Sequence, residues 1–370
     1  MAKPKASLTA CLIVRNEEAY LEQSLSSLHG LVDEIVVVDT GSTDQTIPIA
    51  KAHGAVLAHY RWNNDFAAAR NVSLSLASSD WILYIDADES LHAKSEDLQV
   101  LDHPEAVAAT VSFRPASHMT CYREYRLFRN RLDLRFRSPI HESIVPDLDA
   151  IVEAEGLHIV GSDAHIEHHG YEGDLTHKHR RNRPMLLQAV KLSPGRIYLW
   201  HALGDCELGL GDEVAAERAW RKALALVRRV PGEPQNAMIY SNLLALPKNQ
   251  QRPGLDDLAE LLDEASRYHQ DDPLVRWWLA SHALTNGQIQ KCRFLLEDLL
   301  LQDRAPRQNA ALAYDRRLFG ANGHALMANS YLAQARYAKA EVWFDKALSF
   351  DPGNKEYKTK RDLARAQRAA

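Results

Sequence analysis

Between Leu8 and Asp88 the sequence alternates short apolar runs with segments of helical periodicity, and this alternation limits the fold more than any other feature. Leu8–Val14 is a compact apolar run and is read as a buried strand. Ala19–Leu28 places Leu21, Leu25 and Leu28 at helical spacing. Glu34–Asp39 contains Ile-Val-Val-Val, the pattern of a strand buried on both faces. Gly41 breaks that strand. Ser42, with Gln45 three residues on, predicts a capping box for a helix that runs to about His53 and ends at Gly54. Ala55–His59 predicts a third strand, Asp65 caps a helix through Ser75, and Trp81–Ile85 predicts a fourth strand. Alternation of this kind implies right-handed βαβ crossovers and a mostly parallel sheet.

Ligands in such sheets bind beyond the carboxyl ends of the strands. Three polar clusters fall there: Arg15-Asn16-Glu17-Glu18, Asp39-Thr40-Gly41-Ser42 and Asp86-Ala87-Asp88. The third is the most informative. A buried strand that delivers two carboxylates to the sheet edge makes a hard oxygen site, suited to Mg2+ or Mn2+ that takes its remaining ligands from water and a substrate diphosphate. Alone, paired acids in a turn are more often solvated or capping. Their position after Trp81–Ile85 favours the metal reading.

A chain of 370 residues is long for one core and comfortable for two domains. From Ala106 to Tyr171 short β-rich runs (Val107–Phe113, Glu124–Phe128, Glu155–Val160) predict a mixed β region. After Tyr171 strand signals vanish, and Leu and Ala at helical spacing dominate. The polar stretch Asp174–Arg183 marks the boundary, giving an α/β domain over 1–175 and an all-α domain over 184–370. The helical half repeats itself. Trp200, Leu203, Gly204, Ala216, Trp220 and Ala223 form one unit; His324, Met327, Ala328, Tyr331, Ala340, Phe344, Ala347 and Pro352 form another; Leu279, Ala280, Cys292, Leu296 and Leu299 form a weaker third. Small and aromatic positions recur in the order of a tetratricopeptide helix–turn–helix, and this favours repeats over a plain helical bundle.

Composition excludes several classes. A formal charge of −5 gives no sign of a nucleic-acid binder. Cys11, Cys121, Cys206 and Cys292 are too scattered for a zinc site or a disulfide framework. Leu8–Val14 is too short for a signal-peptide core, and no later stretch could cross a bilayer, so a cytoplasmic protein is expected, with peripheral membrane contact left open.

Four segments resemble the family 2 glycosyltransferases of the GT-A fold: Leu12–Glu18, Glu34–Asp44, Asp65–Asn71 and Trp81–Glu89. Arg126-Leu127-Phe128-Arg129, Ile140-His141-Glu142 and His169-Gly170-Tyr171, with trailing helical repeats, resemble the subgroup that includes the bacteriocin S-glycosyltransferases. The resemblance implies a nucleotide-sugar donor and a divalent metal. It implies that Asp39 faces the nucleobase or ribose, although Thr40 stands where many relatives have a second acid. It implies that Arg70 reaches the ribose or diphosphate, that Asp86 and Asp88 serve the metal, and that His169 completes its shell. Asn16, Glu18, Asp86, Arg126 and Arg129 join Asp39 and Arg70 as donor-binding candidates.

Each residue also has a plainer reading. Asp39 would make turn hydrogen bonds, Arg70 would lie on a helix surface, and Asn71 would brace that helix. Arg126 and Arg129 would sit on a solvated strand face, and His165, His168 and His169 in an ordinary loop. His177 and His179 are expected on a linker surface. Inverting transfer needs a base for the acceptor proton. Glu142 is the first candidate and His141 the second, against a structural role for their loop.

The expected function is metal-dependent transfer of a sugar from a nucleotide sugar to a peptide, protein or glycan acceptor, with inversion as the resemblance implies. The repeats offer a surface for the acceptor or for a second copy of the chain. Transfer to a lipid or polysaccharide precursor is a competing reading. So is a non-catalytic interaction protein whose transferase domain has degenerated. A nucleotidyltransferase would offer a Gly-rich basic loop after the first strand, and Arg15-Asn16-Glu17-Glu18 is not one.

Overall fold

The computed structural model describes residues 6–170, 175–246, 255–301 and 312–369. Tyr171 and Asp174 lie outside the described residues. Two compact units are present: residues 1–117 with 121–210, and residues 118–120 with 211–370.

The first unit is built on one eight-stranded sheet. Its strands are β1 (Leu8–Val14), β2 (Glu34–Asp39), β3 (Val56–His59), β4 (Trp81–Tyr84), β5 (Glu89–His92), β6 (Ala106–Arg114), β7 (Tyr122–Arg129) and β8 (His158–His168), in spatial order β3-β2-β1-β4-β7-β6-β8-β5. The β3-β2-β1-β4 half is parallel, as the alternation predicts. β7 runs antiparallel to both β4 and β6, β6 and β8 are parallel, and β5 closes the far edge antiparallel to β8.

Both faces of the sheet are covered. Side chains alternate along a strand, so Leu8, Ala10, Leu12 and Val14 share one apolar layer with Leu21, Leu25 and Leu28 from the α1 region (helix Leu21–Ser27), and Cys11 points to the other. That second layer holds Ala67 and Leu74 of α3 (Phe66–Leu76) and Leu148 and Ile151 of α4 (Val145–Glu155). Val36, Val37 and Val38 are fully buried, consistent with a β2 sandwiched on both sides.

Local chemistry departs from the sequence reading in three places. Helix α2 spans Thr46–Ala52 and has no side-chain cap from Ser42. Ser42 N instead donates to Asp39 Oδ1 at 2.9 Å, and Asp44 Oδ1 accepts from Thr46 N at 3.0 Å, so the turn after β2 uses its polar groups internally. Residues up to Glu155 are helical rather than the start of a strand. Gly156, at φ 68°, ends α4 in the left-handed conformation that glycine adopts without a Cβ clash, and β8 begins at His158. β5, directly after the acidic turn, had no strand signal of its own. By contrast the Asp65 cap forms as expected, its side chain accepting from Ala68 N at 2.9 Å.

The segment Asp174–Arg183 is not where the compact units divide. α5 (Thr176–Leu192) runs through its described part, and α6 (Ile197–Gly209) packs on α5 within the first unit. Arg183 pairs with Glu207 at 2.9 Å, and Gly209 approaches α5 so closely that a Cβ there would meet His179 Nε2 at 2.3 Å. His179 is thus a packing residue, whereas His177 is exposed as expected.

In the second unit α7 (Glu213–Val227), α8 (Asn236–Ala245), α9 (Leu255–His269), α10 (Pro273–Thr285), α11 (Ile289–Leu301), α12 (Ala321–Leu332), α13 (Tyr337–Phe350) and α14 (Lys355–Ala369) follow one another. α12 and α13 form a helical pair whose core contains Ala328, Ala340, Phe344 and Ala347, and Ala280, Cys292, Leu296 and Leu299 bury the α10–α11 pair. Those two expected repeats are therefore real helix pairs. The residues expected to form another are divided: Trp200, Leu203 and Gly204 lie on α6, Ala216, Trp220 and Ala223 on α7. Among the described residues no helix is long and apolar enough to cross a membrane.

Candidate active site

The carboxyl ends of β1 and β4 open onto a cavity of about 510 Å3 that lies wholly within the first unit. Its wall includes Arg15, Glu17 and Thr40 from the first two strand ends, Asp86, Asp88 and Glu89 from the third, and Arg70 from α3. Glu124 and Arg126 of β7, His141 and Glu142, His168 of β8, and Lys178, Arg181 and Tyr198 from α5 and α6 complete it.

Arg70 organises the floor. It is buried on α3 and donates through Nε to Glu142 Oε1 at 2.6 Å and through Nη2 to Asp86 Oδ1 at 2.7 Å. Its guanidinium also stands 5.1 Å from the Tyr84 ring centroid. A cation between two carboxylates, over an aromatic face, is stabilised in its charged form. The same geometry acts back on Asp86: burial alone would raise its carboxyl, but Arg70 and Arg126 hold it below the ordinary carboxylate range. Arg70 is not the surface arginine of the plainer reading.

Arg126 forms a second ion network. It makes a bidentate pair with Glu89 at 2.9 Å through both terminal nitrogens and donates Nε to Glu124 Oε2 at 2.5 Å. The Glu124 carboxylate also accepts from the Tyr122 hydroxyl. Burial pushes the Glu89 carboxyl up against the pull of Arg126. Arg129, three residues further along β7, lies at the opposite end of β4. It stacks 4.7 Å over Trp81 and donates to the carbonyls of Ala106 and His103, so it does not reach the cavity. The sheet register separates these two arginines because β7 pairs Arg129 with Trp81 at the start of β4.

Asp88 and the histidines sort differently from the expectation. His168 Nε2 lies 3.2 Å from Asp88 Oδ2, and its Nδ1 lies 3.1 Å from the Pro115 carbonyl. The ring is thus fixed between the Pro115 carbonyl and the Asp88 carboxylate. His169, one residue on, points its ring the other way, within 3.1 Å of Ser90 Oγ and 3.2 Å of Gln23 Nε2. Its backbone N, however, donates to the Asp88 carbonyl at 2.8 Å. Period-two alternation at the end of β8 decides which of the adjacent histidines faces the acid. Among the described residues no group of three or more His, Cys, Asp or Glu side chains is gathered as a self-sufficient metal cage. Asp88 and His168 are a contact pair on the cavity wall, and Lys178 Nζ lies 3.8 Å from the same Asp88 oxygen.

Three donor-site candidates are occupied by loop structure. Asp39 Oδ1 and Oδ2 accept from Ser42 N and Gly41 N, and His59 Nδ1 lies 3.0 Å away. Burial opposes its charge, but these bonds hold its carboxyl below the ordinary range. Thr40, not Asp39, lines the cavity. Asn16 accepts from Thr43 N at 2.8 Å and Glu18 from Gln45 N at 3.0 Å, so both tie the loop after β1 to the loop after β2. Glu17, between them, is the residue that enters the cavity. Burial and then Asp88 push its carboxyl up to about 7. Asn71 braces α3, exchanging two hydrogen bonds with the Phe136 backbone at 2.9 Å.

His141 and Glu142 come from a tight loop closed by paired backbone bonds between Arg137 and Ser143, at 3.0 and 3.1 Å. The His141 ring meets Tyr198 edge-on at 5.0 Å. Burial, then Arg196 and His201, lower its pKa to about 4. Glu142 offers Oε1 to Arg70, and its side chain keeps 12% exposure toward the cavity.

Residues 9–142 match the model of glycosyl transferase family 2. They form a family 2 glycosyltransferase domain. The chain is 37% identical over 263 residues to a TPR repeat-containing protein of Synechococcus elongatus, covering 69% of this chain and 64% of that protein. It is 27% identical over 209 residues to the SPbeta prophage-derived glycosyltransferase SunS of Bacillus subtilis, covering 51% and 46%. The chain thus spans less than two thirds of the length of either relative. Among solved structures, glucosyl-3-phosphoglycerate synthase of Mycobacterium tuberculosis, in complex with Mn2+, UDP-glucose and phosphoglyceric acid, is similar at 19% identity and a TM-score of 0.38, over 50% of this chain and 79% of that one. The family match ends at Glu142, so His168, Lys178, Arg181 and Tyr198 of the cavity wall lie beyond it.

Proposed function

We propose that the protein transfers a sugar from a nucleoside-diphosphate sugar to a peptide, protein or glycan acceptor, with inversion and with a divalent metal. The observation that carries this reading is the Arg70 guanidinium, hydrogen-bonded at once to Asp86 on the donor side and to Glu142 on the acceptor side. A single rigid fork sets the distance between the two halves of a displacement reaction.

In this reading Asp88 and His168 hold Mg2+ or Mn2+, which would supply charge neutralisation at the departing diphosphate. Arg15, Lys178 and Arg181 surround the same space with positive charge suited to phosphate oxygens. Glu142 Oε2 is left to accept the acceptor's proton, since Oε1 is engaged by Arg70. The acceptor atom bonds to the anomeric carbon as the bond from that carbon to the diphosphate oxygen breaks, and the nucleoside diphosphate leaves with the electron pair. Asp39 and Thr40 lie near the expected nucleobase end. Asp39 acts there by holding the turn rather than by facing the base.

A thermal-shift screen of UDP, GDP and their sugars, with and without Mn2+, tests donor binding, because a ligand of the native state raises apparent stability. Glu142→Gln then tests the base. Donor stabilisation is expected to stay near wild type while transfer falls on the order of 10²–10⁴-fold. No shift with any nucleotide would favour the interaction-protein reading. Undiminished transfer in Glu142→Gln would remove Glu142 from the chemistry.

A further inference from the structure

The loop that carries the proposed base is strained at two points. Ser138 has φ 78° and His141 has φ 51°, left-handed values that residues with a Cβ adopt at a cost. Such strain persists only where the surroundings over-determine it. Pro139 is held from below by Phe66 N, which donates to its carbonyl at 2.8 Å, and Ile140 is buried. The two strained residues are held by one side chain. Arg196 donates Nη1 to Ser138 Oγ at 2.6 Å and Nη2 to the His141 carbonyl at 3.1 Å. Its fork therefore spans the whole bend, one nitrogen for each left-handed residue, and the residue after the second is Glu142.

Arg196 stands at the N-terminus of α6, outside the residues matched to the family. We propose that Arg196 is a positioning residue for transfer: it fixes the bend so that the Glu142 carboxylate meets Arg70 at the cavity floor, and it touches no reacting atom. The proposal rests on the reading of Glu142 as base. It gives α6 a part in catalysis that the α/β sheet alone does not supply. A guanidinium is suited to this because two parallel donors on a planar fork fix both distance and angle, which a lysine ammonium cannot do.

The test uses the full chain. Stabilisation by UDP and by GDP with Mn2+ reports donor binding. Nucleoside diphosphate release from the best-bound nucleotide sugar, with water as acceptor, reports turnover. Arg196→Gln is expected to keep nucleotide stabilisation and donor KM within about twofold while kcat falls about 10- to 100-fold, the scale of a misplaced catalytic group. Arg196→Lys should fall between. Ser138→Gly in the Arg196→Gln background should recover part of kcat, because glycine takes the left-handed conformation without the clash that Arg196 opposes. A role in stability alone would not produce that recovery. If Arg196→Gln does not fold, Ser138→Ala, which removes only the hydroxyl that Arg196 grips, should lower kcat with nucleotide binding intact. Wild-type kcat in Arg196→Gln or, failing its folding, in Ser138→Ala overturns the proposal when Glu142→Gln is inactive. Parallel loss of binding and turnover in a folded Arg196→Gln also overturns it. Full turnover in Glu142→Gln instead marks failure of the base reading.

Discussion

Gly170 lies against the Asp88 carboxylate so closely that a Cβ on it would come within 1.9 Å of Oδ2 and 2.8 Å of Cγ. The Gly170 carbonyl accepts from Lys178 Nζ at 3.1 Å, and the same ammonium lies 3.8 Å from Asp88 Oδ2. A methyl group at this position has to displace either the acid or the chain. Gly170→Ala is expected to weaken Mn2+-dependent stabilisation by nucleoside diphosphates to nearly the extent of Asp88→Ala, with the apo melting temperature little changed. Wild-type metal-dependent stabilisation in Gly170→Ala would show that Asp88 is not needed where it stands.

Adjacent histidines give a sharper test of the metal site. His168 faces Asp88 and His169 faces Ser90 and Gln23. His168→Ala should abolish the Mn2+-dependent part of nucleotide stabilisation, and His169→Ala should leave most of it. Isothermal titration with Mn2+ in the presence of UDP or GDP reads the difference. The reverse order of effects would return the role to His169.

The compact unit containing the cavity ends at Leu210. A fragment ending there keeps Lys178, Arg181, Arg196 and Tyr198. One ending at Arg183 cuts α5 mid-helix and loses Arg196, Tyr198 and the buried residues Leu186, Leu199 and Leu203. The longer fragment is expected to melt cooperatively and to respond to nucleotide with Mn2+. The shorter should aggregate or melt without such a response. Equal behaviour of the two would mean that α5 and α6 are dispensable to the site.

His141 has a pKa near 4 in the folded chain against an ordinary 6.5, because burial, Arg196 and His201 disfavour its charged form. The unfolded chain therefore binds the proton first. Stability from this group is complete above pH 6.5 and is lost as pH falls from there toward 4. At about 1.4 kcal/mol per pKa unit the loss is at most about 3 kcal/mol. Chemical denaturation of wild type and His141→Asn across this range should show wild type losing stability faster on acidification. Parallel slopes would refute the depressed value.

Much of the first unit was legible in the residues themselves. Apolar runs of strand length with polar termini identify β1, β2 and β4, because a parallel strand buried on both faces must be apolar along its length and can present polar groups only at its ends. That placed Asp86 and Asp88 just beyond the end of β4, and the Asp65 cap placed Arg70 on α3. Helical spacing of small and aromatic residues likewise revealed the α10–α11 and α12–α13 pairs.

What the sequence could not decide was phase and partnership. Glu17 and Glu18, or His168 and His169, are neighbours of like chemistry, and which one turns inward depends on a backbone direction set by the sheet and by distant hydrogen-bond partners. Arg126 and Arg129 sit on one strand, but pairing with β4 puts one in the cavity and the other over Trp81. Asp39 looks like a free acid until the turn after β2 closes on it. Arg196 carries no local signal, because its meaning lies in two acceptors more than fifty residues earlier in the chain. Periodicity records which side of an element meets the core. Only tertiary contact decides which polar atoms meet each other, because those meetings are made between segments remote in sequence.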